Sequence, residues 1–219
     1  MESKLITNLE KSKSDNLNYA LKILSNGLKV LFISDPEANK SSAAMGVNVG
    51  NLVDKPDEQG LAHFCEHLLF MGTEKYPSEN EYAEYLAKNS GVSNASTSGD
   101  KTTFFFDVSN DAFEGALDIF AHFFICPTFN EGSVEREINA VDSEFSKNIN
   151  NDAWRLHHLK NSHTKKGCAF NRFSTGNKKT LGCPDIRDRL LVYYKKYYSS
   201  EIMNLCVYSK KPMDELVKF

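Results

Sequence analysis

Apolar residues recur at two different spacings along this 219-residue chain, and the change from one to the other marks out its elements. Dense, β-compatible stretches cover residues 19–25 and 28–34, with Asn26-Gly27 between them. That dipeptide has the composition of a two-residue type I′ turn, so a hairpin is expected. A third strand is expected over 42–49, ended by Gly50 and the polar Asp54-Lys55-Pro56-Asp57 loop. From 60 to 71 the spacing turns helical: Leu61, Phe64, Leu68 and Phe70 are apolar, and Gly72 is the stop. Residues 78–90 fit another helix, with Ser78 as N-cap, Glu81 completing a capping box, and Gly91 closing the end.

A second hairpin is expected over 92–97 and 102–109, around the turn Ser98-Gly99-Asp100. Phe104-Phe105-Phe106 is apolar enough that both faces of its strand should be covered. Residues 111–124 (ended by Pro127), 133–148 and 152–162 read as helices, and the second carries the stripe Ile138, Val141, Phe145. A Gly- and Asn-rich loop follows over 167–182, then a helix over 184–198 opened by Pro184, and a strand over 202–208. Residues 1–16 are polar and should form a loose arm, leaving the folded domain to 17–219. Hairpins mixed with helices, without βαβ alternation, indicate an α+β domain with a mainly antiparallel β-sheet packed with α-helices. A new helix begins near Met213, so the end at Phe219 reads as a boundary within a longer protein.

Charge and composition narrow the partners. The net charge is −3 and basic clusters such as Lys165-Lys166 and Lys178-Lys179 are only two residues long, so no nucleic-acid partner is expected. No apolar run is long enough to span a bilayer and no secretory signal opens the chain, so no membrane partner is expected either. Five cysteines without a Cys-x-x-Cys pair indicate free thiols and a cytoplasmic location.

The chemistry is concentrated in His63-Phe64-Cys65-Glu66-His67. Histidines at i and i+4 stand on one helical face and can reach one metal ion. A bare His-x-x-x-His is more often two surface histidines, but Glu66 within an apolar helix tips the balance. It borders the same face and can take a proton from water without being a ligand. This is the H-x-x-E-H order of the inverted zincins. A catalytic zinc needs a third protein ligand. Glu137 and Glu144, seven apart, share a face of the 133–148 helix. Either an exposed helix simply carries two glutamates, or Glu144 is the ligand and Glu137 supports a ligand histidine. Spacing alone does not choose.

Further segments carry a resemblance: Gly72-Thr73, Lys75-Tyr76-Pro77, Glu79-Asn80-Glu81-Tyr82, Ser93-Asn94-Ala95, Arg136-Glu137, Asn139-Ala140-Val141-Asp142-Ser143-Glu144, Asn151-Asp152-Ala153-Trp154-Arg155-Leu156 and Thr175-Gly176-Asn177-Lys178. With the His63–His67 motif, and in unbroken order from about Leu21, they closely resemble the pitrilysin-type inverted zincin metallopeptidases. The resemblance implies one Zn2+ per chain held by His63, His67 and Glu144, with Glu66 as general base and Glu137 behind the ligands. It implies that Asn94 and Ala95 lie on an edge strand that pairs with the substrate backbone. Trp154 matches a residue of the site wall, although a helical aromatic is as often plain core.

Two positions depart from the pattern: Ser96 and His157 stand where relatives commonly carry aromatics, which bears on the pockets flanking the cleaved bond. Cys65 points away from the histidines and is expected to be a packing residue, thiol-sensitive only if exposed. His122, His158 and His163 carry no partner pattern. The implied partners are peptide substrates and the remaining domains of a full-length enzyme with about four similar domains. The isolated domain should therefore bind zinc and hydrolyse peptides poorly or not at all. Two other readings remain: an S-ribosylhomocysteine lyase-like metalloenzyme, whose third ligand would be a cysteine such as Cys126, and a non-catalytic, chamber-forming homologue.

Overall fold

The computed structural model describes residues 2–219. Among them seven strands form one sheet: β1 (Lys4–Ile6), β2 (Asn18–Ile23), β3 (Lys29–Ser34), β4 (Lys40–Val47), β5 (Val92–Thr97), β6 (Thr102–Ser109) and β7 (Met203–Ser209). Their order is β1-β2-β3-β7-β4-β6-β5, antiparallel throughout except for the parallel β3–β7 pair. The helices are α1 (Leu61–Leu69), α2 (Glu81–Lys88), α3 (Phe113–His122), α4 (Glu131–Asn148), α5 (Asp152–Ser162), α6 (Lys178–Leu181), α7 (Ile186–Tyr197) and α8 (Met213–Leu216). The expected α+β class with a mainly antiparallel sheet is the class observed.

Strand alternation divides the sheet into two faces. Ser41, Ala43, Met45 and Val47 of β4 and Thr102, Phe104, Phe106 and Val108 of β6 are buried on the helix side. Against them pack α1 and α3, which contribute Phe64, Leu68, Phe113 and Phe120 to one continuous core. Each of these large side chains contributes roughly 1.5–3 kcal/mol by leaving water. On the opposite face Phe105 is 44% exposed, contrary to the expectation that both faces of its strand are covered.

Other expectations are corrected in the same way. The arm contains β1, whose Lys4–Ile6 pairs with Ile23–Leu21. The first hairpin is not closed by a type I′ turn, because Gly27 takes a positive φ (+89°) and Asn26 does not. Gly27 N–H donates to the Leu24 carbonyl and Leu24 N–H to the Leu28 carbonyl, making a three-residue loop with a left-handed glycine. The capping box at Ser78 does not form: α2 begins at Glu81 behind Asn80, with no side-chain cap. Its far end is turned by Ser90 (φ +57°) rather than Gly91. The 167–182 loop is not featureless. It holds a 3-10 turn at Ala169–Asn171 and α6, which starts with a capping box between Asn177 and Thr180.

The entry to α1 fixes where the chemistry sits. Asp54, buried, accepts from Gly60 N–H at 3.0 Å and Ala62 N–H at 3.1 Å, taking up two of the free amides at the helix start. Burial pushes its carboxyl up to about 7 against the pull of those backbone donors. Gly60 has φ +91°, and a Cβ there would lie 2.3 Å from Gly176 Cα. The two backbones touch. Gly60→Ala must therefore strain φ and push the 175–176 segment away. It should cost about 2 kcal/mol or more, read as a lower denaturation midpoint, and should loosen whatever Thr175 holds.

Candidate metal centre

Burying Leu61, Phe64, Leu68 and Leu69 turns the other face of α1 outward, and with it His63 and His67. Their rings lie 4.7 Å apart at 87°. Helix α4 crosses beside them: Asn130 caps it by accepting from Gly132 N–H, and Val134 and Val141 anchor it in the core. Two turns of α4 separate Glu137 from Glu144, and both face α1.

Each histidine is oriented by an acceptor on its inner nitrogen. His63 Nδ1 donates to the Thr175 carbonyl at 2.7 Å, and His67 Nδ1 donates to Glu137 Oε2 at 2.9 Å. A carbonyl can only accept, so His63 carries its proton on Nδ1 and presents a lone pair at Nε2. Both Nε2 atoms converge on Glu144 Oε2, at 3.5 Å from His63 and 3.6 Å from His67. These gaps are long for hydrogen bonds, yet they match the ~3.4 Å edge of a tetrahedron whose ligands lie about 2.1 Å from zinc. His63, His67 and Glu144 are the group of potential ligand atoms that comes together among the described residues. Two imidazoles and a carboxylate, each backed by a hydrogen bond or an accessible lone pair, suit zinc in its catalytic form with an open fourth position. Cys126 is not among the converging atoms.

Glu66 stands beside this group without joining it. It is 7% exposed and accepts a hydrogen bond from Thr97 Oγ1 of β5. Burial raises its carboxyl above the ordinary carboxylate range, opposed by Thr97 and by His63 and His67. Glu144 is held below that range, chiefly by His67 and then by the His63 ring beside it. At His67 burial favours the neutral ring, but Glu137 and Glu144 outweigh it and push the imidazole up to about 9. Adjacent carboxylates thus occupy opposite electrostatic situations, one poised to take a proton and one to stay charged.

The remaining walls come from β5, α5 and the 167–182 segment. Asn94 and Ala95 border a cavity of about 410 Å3 that also contains the two histidines and Glu144. β5 is the sheet's edge, paired with β6 alone, and Asn94 Oδ1 accepts from Ala95 N–H at 2.9 Å. Trp154 lines the same cavity, and α5 buries none of its side chains, so Trp154 is wall rather than core. Cys65 is fully buried, its thiol driven upward by burial, out of reach of thiol reagents. His122 Nδ1 donates to the Asp118 carbonyl at 2.7 Å, and its ring lies against Tyr76, apart from the metal centre.

Two contributors lie outside the His63–His67 motif. Thr175 acts through its backbone carbonyl, which any residue could supply. It is held by the Gly60–Gly176 contact, by Asp142 Oδ1 accepting from Lys178 N–H, and by Gln59 Oε1 accepting from Phe173 N–H. Thr97 was discoverable, since strand alternation puts it on the same face as Ala95 and toward α1.

The sequence profile of the insulinase family, peptidase family M16, matches residues 29–167. The chain is 50% identical to human insulin-degrading enzyme over 214 residues, covering 95% of this chain and 21% of that protein. It is 47% identical to the A-factor-processing enzyme of Saccharomyces cerevisiae over 208 residues, 92% of this chain and 20% of that protein. The crystal structure of pitrilysin superposes with a TM-score of 0.94 at 38% identity, covering 99% of this chain and 24% of that one. The chain thus spans about a fifth of the length of the curated relatives it matches. With its sequence profile, its fold and its converging His-His-Glu atoms in agreement, the chain belongs to the insulinase family of peptidases, family M16.

Proposed function

We propose that this chain is the zinc-binding domain of a metalloendopeptidase, with His63, His67 and Glu144 as ligands of one Zn2+ and Glu66 as general base. The observation that carries the reading is the convergence of two Nε2 atoms and Glu144 Oε2 within 3.6 Å, with both Nδ1 atoms already engaged. Zinc, when bound, supplies a Lewis acid that makes water a nucleophile near neutral pH and polarises the scissile carbonyl. Glu66 takes the proton of the attacking water and returns it to the leaving amine. Its raised affinity for protons favours the first transfer, and Thr97 keeps the carboxylate aimed during both. Glu137 and the Thr175 carbonyl hold the histidines in the ligand tautomer.

The substrate is an extended peptide added as a strand along β5, with Asn94 Oδ1 swinging away from Ala95 N–H to admit its main chain. Trp154 covers the opposite side. Main-chain pairing imposes little sequence preference, so length and flexibility dominate selection. In this reading residues 17–219 form one domain of a longer enzyme, whose remaining domains are the second class of partner. A cytoplasmic setting belongs to the same reading and is supported by five unpaired cysteines.

A cleavage assay on the zinc-loaded chain with a flexible peptide tests the proposal. Slow, chelator-sensitive cleavage is expected. Cleavage that persists in chelator contradicts the role of the metal, and robust turnover contradicts the dependence on other domains.

A further inference from the structure

A larger cleft, about 580 Å3, adjoins the metal cavity and shares Thr97, Trp154 and Ser174 with it. That volume suits one or two peptide side chains. The cleft begins where β5 runs into the Ser98–Gly99 turn, so a peptide paired with β5 and passing the metal leads directly into it.

Its charge is one-sided. The titratable side chains on its wall are His157, Lys160 and Arg172, and no carboxylate lines it among the described residues. Lys160 makes no ion pair among those residues. Arg172 Nη1 donates to the backbone carbonyls of Leu52 and Asp54, which fixes the guanidinium without neutralising it. His157 Nε2 accepts from Asn161 Nδ2 at 3.0 Å, which leaves the opposite edge of the ring as a donor. The exposed ring of Phe170 adds an apolar surface beside these cations. A net-negative protein that gathers three basic groups, two of them uncompensated cations, on one wall of one cleft has a local field opposite to its overall charge.

We infer that this cleft selects an acidic side chain of the substrate, a carboxylate on the residue lying beyond the cleaved bond toward Ser98, and that Lys160 sets this preference. The inference rests on the peptidase reading above and adds a charge preference to a site that otherwise selects by backbone. Lys160 and His157 are on the exposed side of α5, so they can reach a ligand without displacing packed groups. Arg172, held by the Leu52 and Asp54 carbonyls, provides a second, fixed positive charge in the cleft.

The test measures binding of fluorescein-labelled, unstructured peptides to the zinc-loaded chain by anisotropy. Three peptides differ only in carrying Glu, Ala or Lys at alternate positions, so that registers two residues apart present the same chemistry. The Glu peptide should bind about 3- to 10-fold more tightly than the Ala peptide, as expected for one or two partly exposed charge pairs, and the Lys peptide more weakly than either. Lys160→Glu, on an exposed helical face, should keep its zinc and invert the order. Lys166→Glu, outside the cleft, should leave it unchanged. Equal affinities, or an order that Lys166→Glu alters as much as Lys160→Glu, would overturn the inference while the peptidase reading stands. Zinc retention with no binding of any peptide would likewise overturn the inference, whereas a wild-type chain that holds no zinc would overturn the peptidase reading itself.

Discussion

Glu66→Gln should leave zinc binding intact and lower peptide hydrolysis by about 10²–10⁴-fold, the range a positioned general base contributes. The substitution is nearly isosteric, and the amide oxygen can still accept from Thr97 Oγ1, so α1 and β5 should keep their places. What disappears is a site that can hold a proton between the attacking water and the leaving amine. The comparison is made on the zinc-loaded chain by following one peptide with mass spectrometry. A variant that loses zinc together with activity would show Glu66 to be a ligand and not a base. A variant of undiminished activity would remove it from the mechanism.

The second large effect concerns the metal. Glu144→Gln removes the proposed anionic ligand, and His67→Ala removes an imidazole that is also tied to Glu137. Either leaves two strong protein ligands where catalytic zinc takes three. Loss of an outer-shell partner alone costs about 10–100-fold in metal affinity, so loss of a ligand should exceed about 100-fold. Cys126→Ser serves as the control and should have no effect, because Cys126 contributes no converging atom. Competition with a chromophoric chelator reads these affinities directly. If Cys126→Ser released zinc and Glu144→Gln did not, the lyase-like alternative would replace the peptidase reading.

Different parts of this picture were legible in the sequence to different degrees, and the reasons are physical. The α1 motif was readable because a 3.6-residue period forces i and i+4 onto one face. Strands β3, β4 and β6 were readable because one face of each had to be apolar. Glu144 was not readable from spacing, since two glutamates seven apart look the same on an idle helix as on a ligand-bearing one. Only the neighbouring helix gives them meaning, and resemblance supplied that information in advance.

The misses are local contests between similar options. Asn26-Gly27 suits both a type I′ turn and the three-residue loop observed, because both need a left-handed glycine and only one needs a left-handed asparagine. Phe105 looked like core because its neighbours on either side are core; alternation alone puts it on the opposite face, opposite Asn94 and Ala44. The 167–182 segment looked structureless because its order comes from outside it, through Gly60, Gln59 and Asp142. Its capping box at Asn177-Lys178-Lys179-Thr180 was nonetheless visible, as an N-cap residue three positions ahead of a side chain that reaches back.

The most direct measurement of the central claim is zinc content by elemental analysis after exhaustive dialysis, on the wild-type chain and on His67→Ala. The convergence of His63 Nε2, His67 Nε2 and Glu144 Oε2 predicts one zinc per wild-type chain and close to none in the variant. A wild-type chain without zinc, or a His67→Ala variant that still holds one per chain, would contradict it.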